Sequence, residues 1–185
     1  MNISADLDRR FREAAAREGL VDVAFDVMDS PVGDLLLAAT DRGLCAIWFH
    51  PEAGLDWVAQ TFGARVLRLP RRVRDARRQL DEYFDGRRRE FELDTDLSPV
   101  PAFQQGVLRE LARVPYGQVT TYGCLAAKIG KPRAARAVGG ALNRNPLPIV
   151  LPCHRVVGST GSLVGYAGGL DRKEALLRHE GALLA

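Results

Sequence analysis

The run Pro152-Cys153-His154-Arg155 sets a thiol beside an imidazole and a guanidinium. Sulfur acts as a nucleophile only as the thiolate, and a free cysteine ionises near pH 8.5. A neighbouring base or cation raises the thiolate fraction at neutral pH. The residues before it, Ile149-Val150-Leu151, are apolar and read as a short strand that stops at Pro152 and delivers the Cys-His pair into a turn. The expectation is an accessible thiol with a depressed pKa. Cys45 and Cys124 have apolar neighbours and read as small buried hydrophobes, the commoner fate of a free cysteine. The three cysteines form no C-x-x-C pair, and His50, His154 and His179 lack the spacing of zinc ligands. Neither a disulfide framework nor a metal is expected.

A carboxylate for this pair could come from the C-terminus. Asp171-Arg172-Lys173-Glu174 has the form of a capping box that opens a helix running to His179-Glu180, with Gly181 as its stop. Glu180 could orient His154 and stabilise its charged form, with the imidazole as base towards Cys153. The commoner alternative is an exposed acid at a helix end, although the helix dipole disfavours an acid there.

The elements that must hold these groups also carry charge. Residues 1–100 contain 15 Lys+Arg and 19 Asp+Glu, a net −4, whereas residues 101–185 contain 11 and 4, a net +7. Between Glu110 and Asp171 there is no acid, and Arg113, Lys128, Lys131, Arg133, Arg136, Arg144 and Arg155 all fall in that interval. A half with one sign of charge points to a polyanionic partner. Within it, Thr120/Thr121 can cap a helix running to about Ile129, Gly130-Lys131-Pro132 makes a turn, and Arg133 to about Leu142 forms a second helix. That is the pattern of a helix-turn-helix. At 100° per residue Ala135, Val138 and Leu142 face inward, with Arg133, Arg136, Ala137 and Gly140 opposite. A helix that reads the major groove presents long polar side chains; this face is mostly small, as close approach to the narrow minor groove requires. Arg136 could then enter the base stack while Arg133 and Lys131 neutralise phosphates. A small face that packs on another helix is the alternative.

The first hundred residues read as a helix over residues 4–18, three strands (Val21–Met28, Leu35–Ala39 and Leu44–Phe49) joined as an antiparallel meander, a helix over Val73–Phe84 and a short strand at Phe91-Glu92-Leu93. In the second helix Val73, Ala76, Leu80 and Phe84 share the apolar face. Leu97-Ser98-Pro99-Val100-Pro101 breaks regular structure where the charge changes sign, so the expected domains are residues 1–98 (1–19 an extra helix) and 99–185, the second opening with a helix over Phe103–Ala112. With 46% apolar and 26% charged residues the chain has enough of both for packed cores under a solvated surface. The N-terminal stretch is charged and has no apolar core of a signal peptide, and no apolar run is long enough to span a membrane. A cytoplasmic protein, associated with the nucleoid when bound to DNA, is expected.

Taken together, Pro115-Tyr116-Gly117, Thr121-Tyr122, Ala134-Ala135-Arg136-Ala137-Val138-Gly139-Gly140, Asn145-Pro146-Leu147-Pro148, Pro152-Cys153-His154-Arg155-Val156, Gly165-Tyr166-Ala167-Gly168-Gly169-Leu170 and His179-Glu180-Gly181 resemble the O6-alkylguanine-DNA alkyltransferases. Ser30-Pro31-Val32-Gly33 and Leu80-Asp81-Glu82-Tyr83-Phe84 extend the resemblance more loosely into the first half. It implies an α/β N-terminal domain with a ribonuclease-H-like antiparallel sheet, and a mainly helical C-terminal domain that binds duplex DNA in the minor groove. It further implies irreversible, single-turnover transfer of an alkyl group from O6-alkylguanine to Cys153. His154 would deprotonate the thiol through a water, Glu180 would hold His154, and Asn145 would brace the turn. Tyr122 would rotate a DNA phosphate and help protonate the leaving guanine, and Arg136 would fill the gap left by the flipped nucleotide. Tyr166, Ala167 and Val156 would border the base, with Lys173 at the guanine edge. No cofactor is implied, and a monomer is expected. A helix-turn-helix regulator, a binding-only relative and a Cys-His hydrolase are the rival readings; the first would not use the Pro-Cys-His-Arg turn, and the second would lack its nucleophile.

Overall fold

The computed structural model describes residues 5–183 and divides into two compact units, residues 1–81 with 92–99 and residues 82–91 with 100–185. The first unit holds a sheet of β1 (Val23–Met28), β2 (Leu35–Thr40), β3 (Gly43–Trp48) and β4 (Val66–Arg68) in the order β3-β2-β1-β4. β1–β2 and β2–β3 are antiparallel, as the turn signals require, but β4 runs parallel to β1. A parallel neighbour needs a crossover, and α2 (Pro51–Phe62) supplies it. The sequence reading has neither α2 nor β4. Helix α2 was nonetheless announced by Pro51, whose fixed φ suits the first helical position. Its Gly54 lets the helix lie on the sheet: a Cβ there would come 2.6 Å from the Leu36 side chain and 2.8 Å from that of Trp48. Val23, Ala38, Cys45, Ala46 and Val58 form the core beneath it. Cys45 is fully buried as expected, and burial pushes its thiol up to about 12.

Helix α1 (Ala5–Arg17) agrees with the amphipathic pattern; Ser4, where that helix was expected to begin, lies outside the described residues. The expected strand at Phe91-Glu92-Leu93 does not form. The Gln79 side chain instead takes both backbone groups of Glu92, donating to its carbonyl and accepting from its N–H at 2.8 Å each. Sheet-like pairing is confined to a bridge between Leu44 and Thr95.

In the second unit, α4 (Ala102–Leu111), α5 (Tyr122–Lys128) and α6 (Ala135–Asn143) pack on one another through Leu108, Leu111, Leu125, Val138 and Ala141, all fully buried. Thr121 caps α5, accepting from the Cys124 N–H at 3.1 Å. Cys124 itself is exposed, which corrects the reading of a buried thiol; its place in the helix's first turn faces it outward. Helix α6 starts two residues later than expected, because Ala134 N–H closes a turn onto the Lys131 carbonyl at 2.8 Å. Short strands β5 (Thr120–Thr121) and β6 (Val156–Val157) pair in parallel, and α7 (Leu170–His179) closes the chain. No capping box opens α7. Gly169, at φ 91°, leads directly into Leu170, so Asp171 falls inside the first turn rather than before it, and Glu174 pairs with Arg178 at 2.8 Å. Among the described residues no helix is long and apolar enough to cross a membrane.

Candidate functional site

Ile149–Leu151 is not a strand. The segment is a turn in which Ile149 adopts φ 74° while fully buried. A β-branched residue pays for left-handed backbone, on the order of 1–3 kcal/mol, and holds it only where the surroundings fix it. Here Leu151 N–H bonds the Leu147 carbonyl and Cys153 N–H bonds that of Leu151, both at 2.8 Å. The run is apolar because the turn is buried, a condition that sequence periodicity cannot separate from a buried strand.

Asn145, just past α6, ties this turn together. Its side-chain amide donates to the Leu151 carbonyl at 2.7 Å and to Cys153 Sγ at 3.2 Å, and its oxygen accepts from Leu147 N–H at 3.0 Å. Cys153 begins a single helical turn, Cys153–Arg155, and is 6% exposed. The expectation of an accessible, acidified thiol is therefore corrected. Burial raises the thiol to about 11, and the Asn145 hydrogen bond and the Lys173 charge offset only part of that rise. In the resting protein the sulfur is a protected thiol.

His154 is fully buried, with Nε2 2.8 Å from Glu180 Oε1. Glu180 is no exposed acid; it too is buried. Desolvation alone would raise its pKa, but hydrogen bonds from His154 and Arg155 outweigh that and bring it down to about 2. As a carboxylate it can only accept, so the proton between them sits on Nε2 and the His154 lone pair is on Nδ1. Nδ1 is buried with no hydrogen-bond partner among the described residues. Burial also lowers the His154 pKa, against the opposing pull of Glu180, so the imidazole is neutral and able to take a proton.

Glu180 collects donors from several elements: Arg155 Nε at 2.8 Å and Nη2 at 2.9 Å, Tyr83 OH at 2.8 Å and the Gly117 N–H at 3.2 Å. Arg155 also donates to the Val114 carbonyl at 2.5 Å. Gly117 is required there: its φ is 72°, and a Cβ would meet the Glu180 carbonyl oxygen at 2.9 Å. Lys173, fully buried, donates to the carbonyls of Val156 (2.6 Å) and Val164 (2.7 Å), and Tyr122 OH donates to Val164 at 3.1 Å. These bonds tie the loop over residues 158–169 to α7 and α5. Tyr166 is half-buried on that loop and Ala167 is exposed, whereas Val156 is fully buried and offers its carbonyl rather than its side chain. On α6 and the turn before it, Lys131, Arg133, Arg136 and Ala137 are exposed and Gly140 is half-buried. Lys131 Nζ lies 5.3 Å from the Phe103 ring centre. The Tyr122 ring lies beside Gly139.

Two family models cover most of the chain: the ribonuclease-like domain of 6-O-methylguanine DNA methyltransferase over residues 23–97 and its DNA binding domain over residues 102–182. Methylated-DNA–protein-cysteine methyltransferase of Methanosarcina barkeri is 44% identical over 162 residues, covering 84% of this chain and 96% of the relative. The chain belongs to the 6-O-methylguanine DNA methyltransferase family. Its Mycobacterium leprae relative of the same name is 45% identical over 156 residues, covering 83% of this chain and 89% of the relative. The Mycobacterium tuberculosis OGT, solved in complex with DNA, is 40% identical with a TM-score of 0.75, covering 85% of this chain and 92% of that one. The sheet and helices described above are the family's ribonuclease-like and DNA-binding folds.

The structure gathers buried Cys153, His154, Glu180 and Lys173 with the half-buried Asn145 into one cluster and sets the α6 residues on an exposed basic face. Sequence reasoning missed Tyr83 and the position of Arg155. The spacing of α3 (Arg74–Phe84) put Phe84 on the apolar face, but Tyr83 is the fully buried residue and Phe84 the half-buried one. The sequence reading sets Arg155 beside the thiol as a cation that acidifies it, whereas its guanidinium is bound to Glu180 and to the Val114 carbonyl.

Proposed function

We propose that this protein repairs DNA by moving an alkyl group from O6 of guanine to Cys153, once per molecule. The observation that carries it is a buried Cys153 followed in the chain by a buried, neutral His154, whose Nδ1 carries a lone pair without a partner among the described residues and whose Nε2 is held by an ionised Glu180. A thiol with a pKa of about 11 is unreactive at rest, and the His154 base can take its proton, directly or through a water, when an electrophile is seated. The thiolate attacks the alkyl carbon in line, the S–C bond forms as the C–O6 bond breaks, and guanine leaves with a proton that Tyr122 helps deliver. A thioether has no easy route back, so each molecule acts once.

The reacting carbon is out of reach inside a duplex, so the nucleotide must be extruded at a cost of a few kcal/mol. The exposed face of α6 is suited to that task. Ala137 and Gly140 allow close approach to the minor groove, Arg136 fills the vacated stack, and Arg133 and Lys131 neutralise phosphates. Tyr166, Ala167 and the Val156 segment border the everted base, with Lys173 at its edge and Asn145 bracing the turn that carries the sulfur. The protein works as a monomer inside the cell, on the nucleoid. The relatives' names, which specify methylated DNA and a protein cysteine, support this reading, as does the DNA complex of the M. tuberculosis relative.

Intact-mass measurement after incubation with a duplex containing O6-methylguanine tests the proposal: one methyl per molecule, mapped to Cys153, is expected, and an unmodified protein or a label elsewhere would refute it. Arg136→Ala separates flipping from chemistry. Repair of duplex should slow by roughly ten- to a hundredfold, the equivalent of about 1.4–2.8 kcal/mol, while reaction with free O6-benzylguanine changes little. Equal losses on both substrates would remove Arg136 from the flipping step.

A further inference from the structure

Tyr83 comes from the N-terminal half of the sequence, yet its side chain lies inside the second unit, fully buried against the carboxylate that holds the base. Its hydroxyl donates to Glu180 Oε1 at 2.8 Å, the same oxygen that His154 Nε2 uses. The other Glu180 oxygen is held by Arg155 Nε and by Gly117 N–H, with Arg155 Nη2 shared onto Oε1. The phenol is itself clamped. Its ring lies 4.9 Å from that of His179, 6.0 Å from Tyr116 and 5.6 Å from Phe91 between ring centres, and His179 Nε2 sits 2.7 Å from the Tyr83 carbonyl. Such a hydroxyl cannot turn to water, so the Glu180 bond is its outlet.

We propose that Tyr83 is a positioning residue of the alkyl-acceptor site, which by sharing Oε1 of Glu180 with His154 limits how strongly the carboxylate draws the imidazole into its protonated form. This deepens the alkyl-transfer reading and rests on it for its functional meaning. The physical argument is competition at one oxygen. Each donor on a carboxylate oxygen withdraws density that another donor would use, and in a dry site the effect is not diluted by solvent. Arg155 and Tyr83 together leave Glu180 ionised but a weaker acceptor. His154 then stays neutral in the resting protein, which is the state that can accept the thiol proton. Without the Tyr83 hydroxyl, Oε1 binds Nε2–H more strongly, the imidazolium is favoured, and His154 becomes protonated at a higher pH. Once protonated it is no longer a base, so the transfer rate is lost at a higher pH too.

The groups that could obscure this titration are identifiable. His154 is faced by Glu180, Arg155 and Lys173; Glu180 by His154, Arg155, Tyr83 and Tyr116; Tyr83 by Glu180, Arg155, Tyr116 and His179; and Cys153 by Asn145, Lys173, Tyr122 and Tyr166. Tyr83→Phe keeps the ring, deletes only the oxygen and leaves every other of these groups as it is.

The test uses the full-length protein, with two readouts on wild type and Tyr83→Phe: the pH dependence of labelling by free O6-benzylguanine, and the NMR titration of the His154 imidazole. Both the acid limb of the rate and the imidazole midpoint should move up by roughly half a pH unit. Replacing Tyr83 with a ring-fluorinated tyrosine, a stronger donor of the same shape, should move both down. Lower thermal stability with both midpoints unchanged would reduce Tyr83 to a packing residue and overturn the inference. If wild type takes no benzyl group, the alkyl-transfer reading fails, while the imidazole titration still decides the role of Tyr83.

Discussion

Cys153→Ala yields a protein that still binds DNA and takes no methyl group. Transfer should fall below detection, by more than about ten-thousandfold, because no other described residue brings a nucleophile together with the His154 base. Cys45 is sealed in the first unit, and Cys124 stands exposed on α5, where Thr121 and Lys128 are the groups that act on it. Folding should change by no more than about 1 kcal/mol, since Asn145 keeps its bonds to Leu151 and Leu147 when the sulfur is gone. Cys153→Ser is the sharper version. It keeps size and hydrogen bonding but offers an alcohol far harder to ionise than a thiol, so it should be equally inert. Intact mass gives the transfer and a mobility shift gives the binding. A Cys153→Ala protein that retains stoichiometric transfer would move the chemistry to another residue.

Glu180→Ala is expected to damage stability and reactivity together. It strips the acceptor from His154, Tyr83, Gly117 and Arg155 at once. Arg155 is 5% exposed and would keep only the Val114 carbonyl. Breaking a buried pair by deleting one partner costs about 3–5 kcal/mol, equivalent to a fall in melting temperature of roughly 10 °C. Glu180→Gln preserves shape and removes the charge, so its transfer rate should fall by about a hundredfold or more with a smaller loss of stability. The wild type carries a matching pH signature. Glu180 titrates at about 2 in the folded protein against about 4.3 in an unfolded chain. Its contribution is present above the unfolded value and is lost as pH falls from about 4.3 towards 2. Thermal unfolding followed across that window should steepen downward in wild type and less so in Glu180→Gln; identical profiles would mean that Glu180 is not ionised as described.

Much of the site could be read from residue types and order. The Pro-Cys-His-Arg run, the small basic face of α6 and the acid at the end of α7 are local features, and each was legible because its chemistry depends on neighbours in sequence. The helices were legible for the same reason: their apolar periodicity reports one buried face. What sequence could not give was burial of the working groups themselves. Expecting an acidified thiol assumed that His154 and the arginines act on a solvated sulfur, whereas desolvation dominates at Cys153. Ile149 was misread because a buried turn and a buried strand share a composition. Glu180 was undecided because nothing local distinguishes a capped, solvated acid from one surrounded by donors brought from residues 83, 117, 154 and 155. Helix α2 went unread although Pro51 marked its first turn.

The placement of residues 82–91 constrains how such a protein can be cut or recombined. The polypeptide visits the second unit, returns to the first for residues 92–99, and only then departs for good. A chimera spliced from two homologues at residue 100 would inherit its phenol from one parent and the carboxylate it serves from the other. A graft that transplants the reactive half intact needs two extra seams, so that the short segment bearing Tyr83, the end of α3 and the residues after it, travels with the carboxylate it serves.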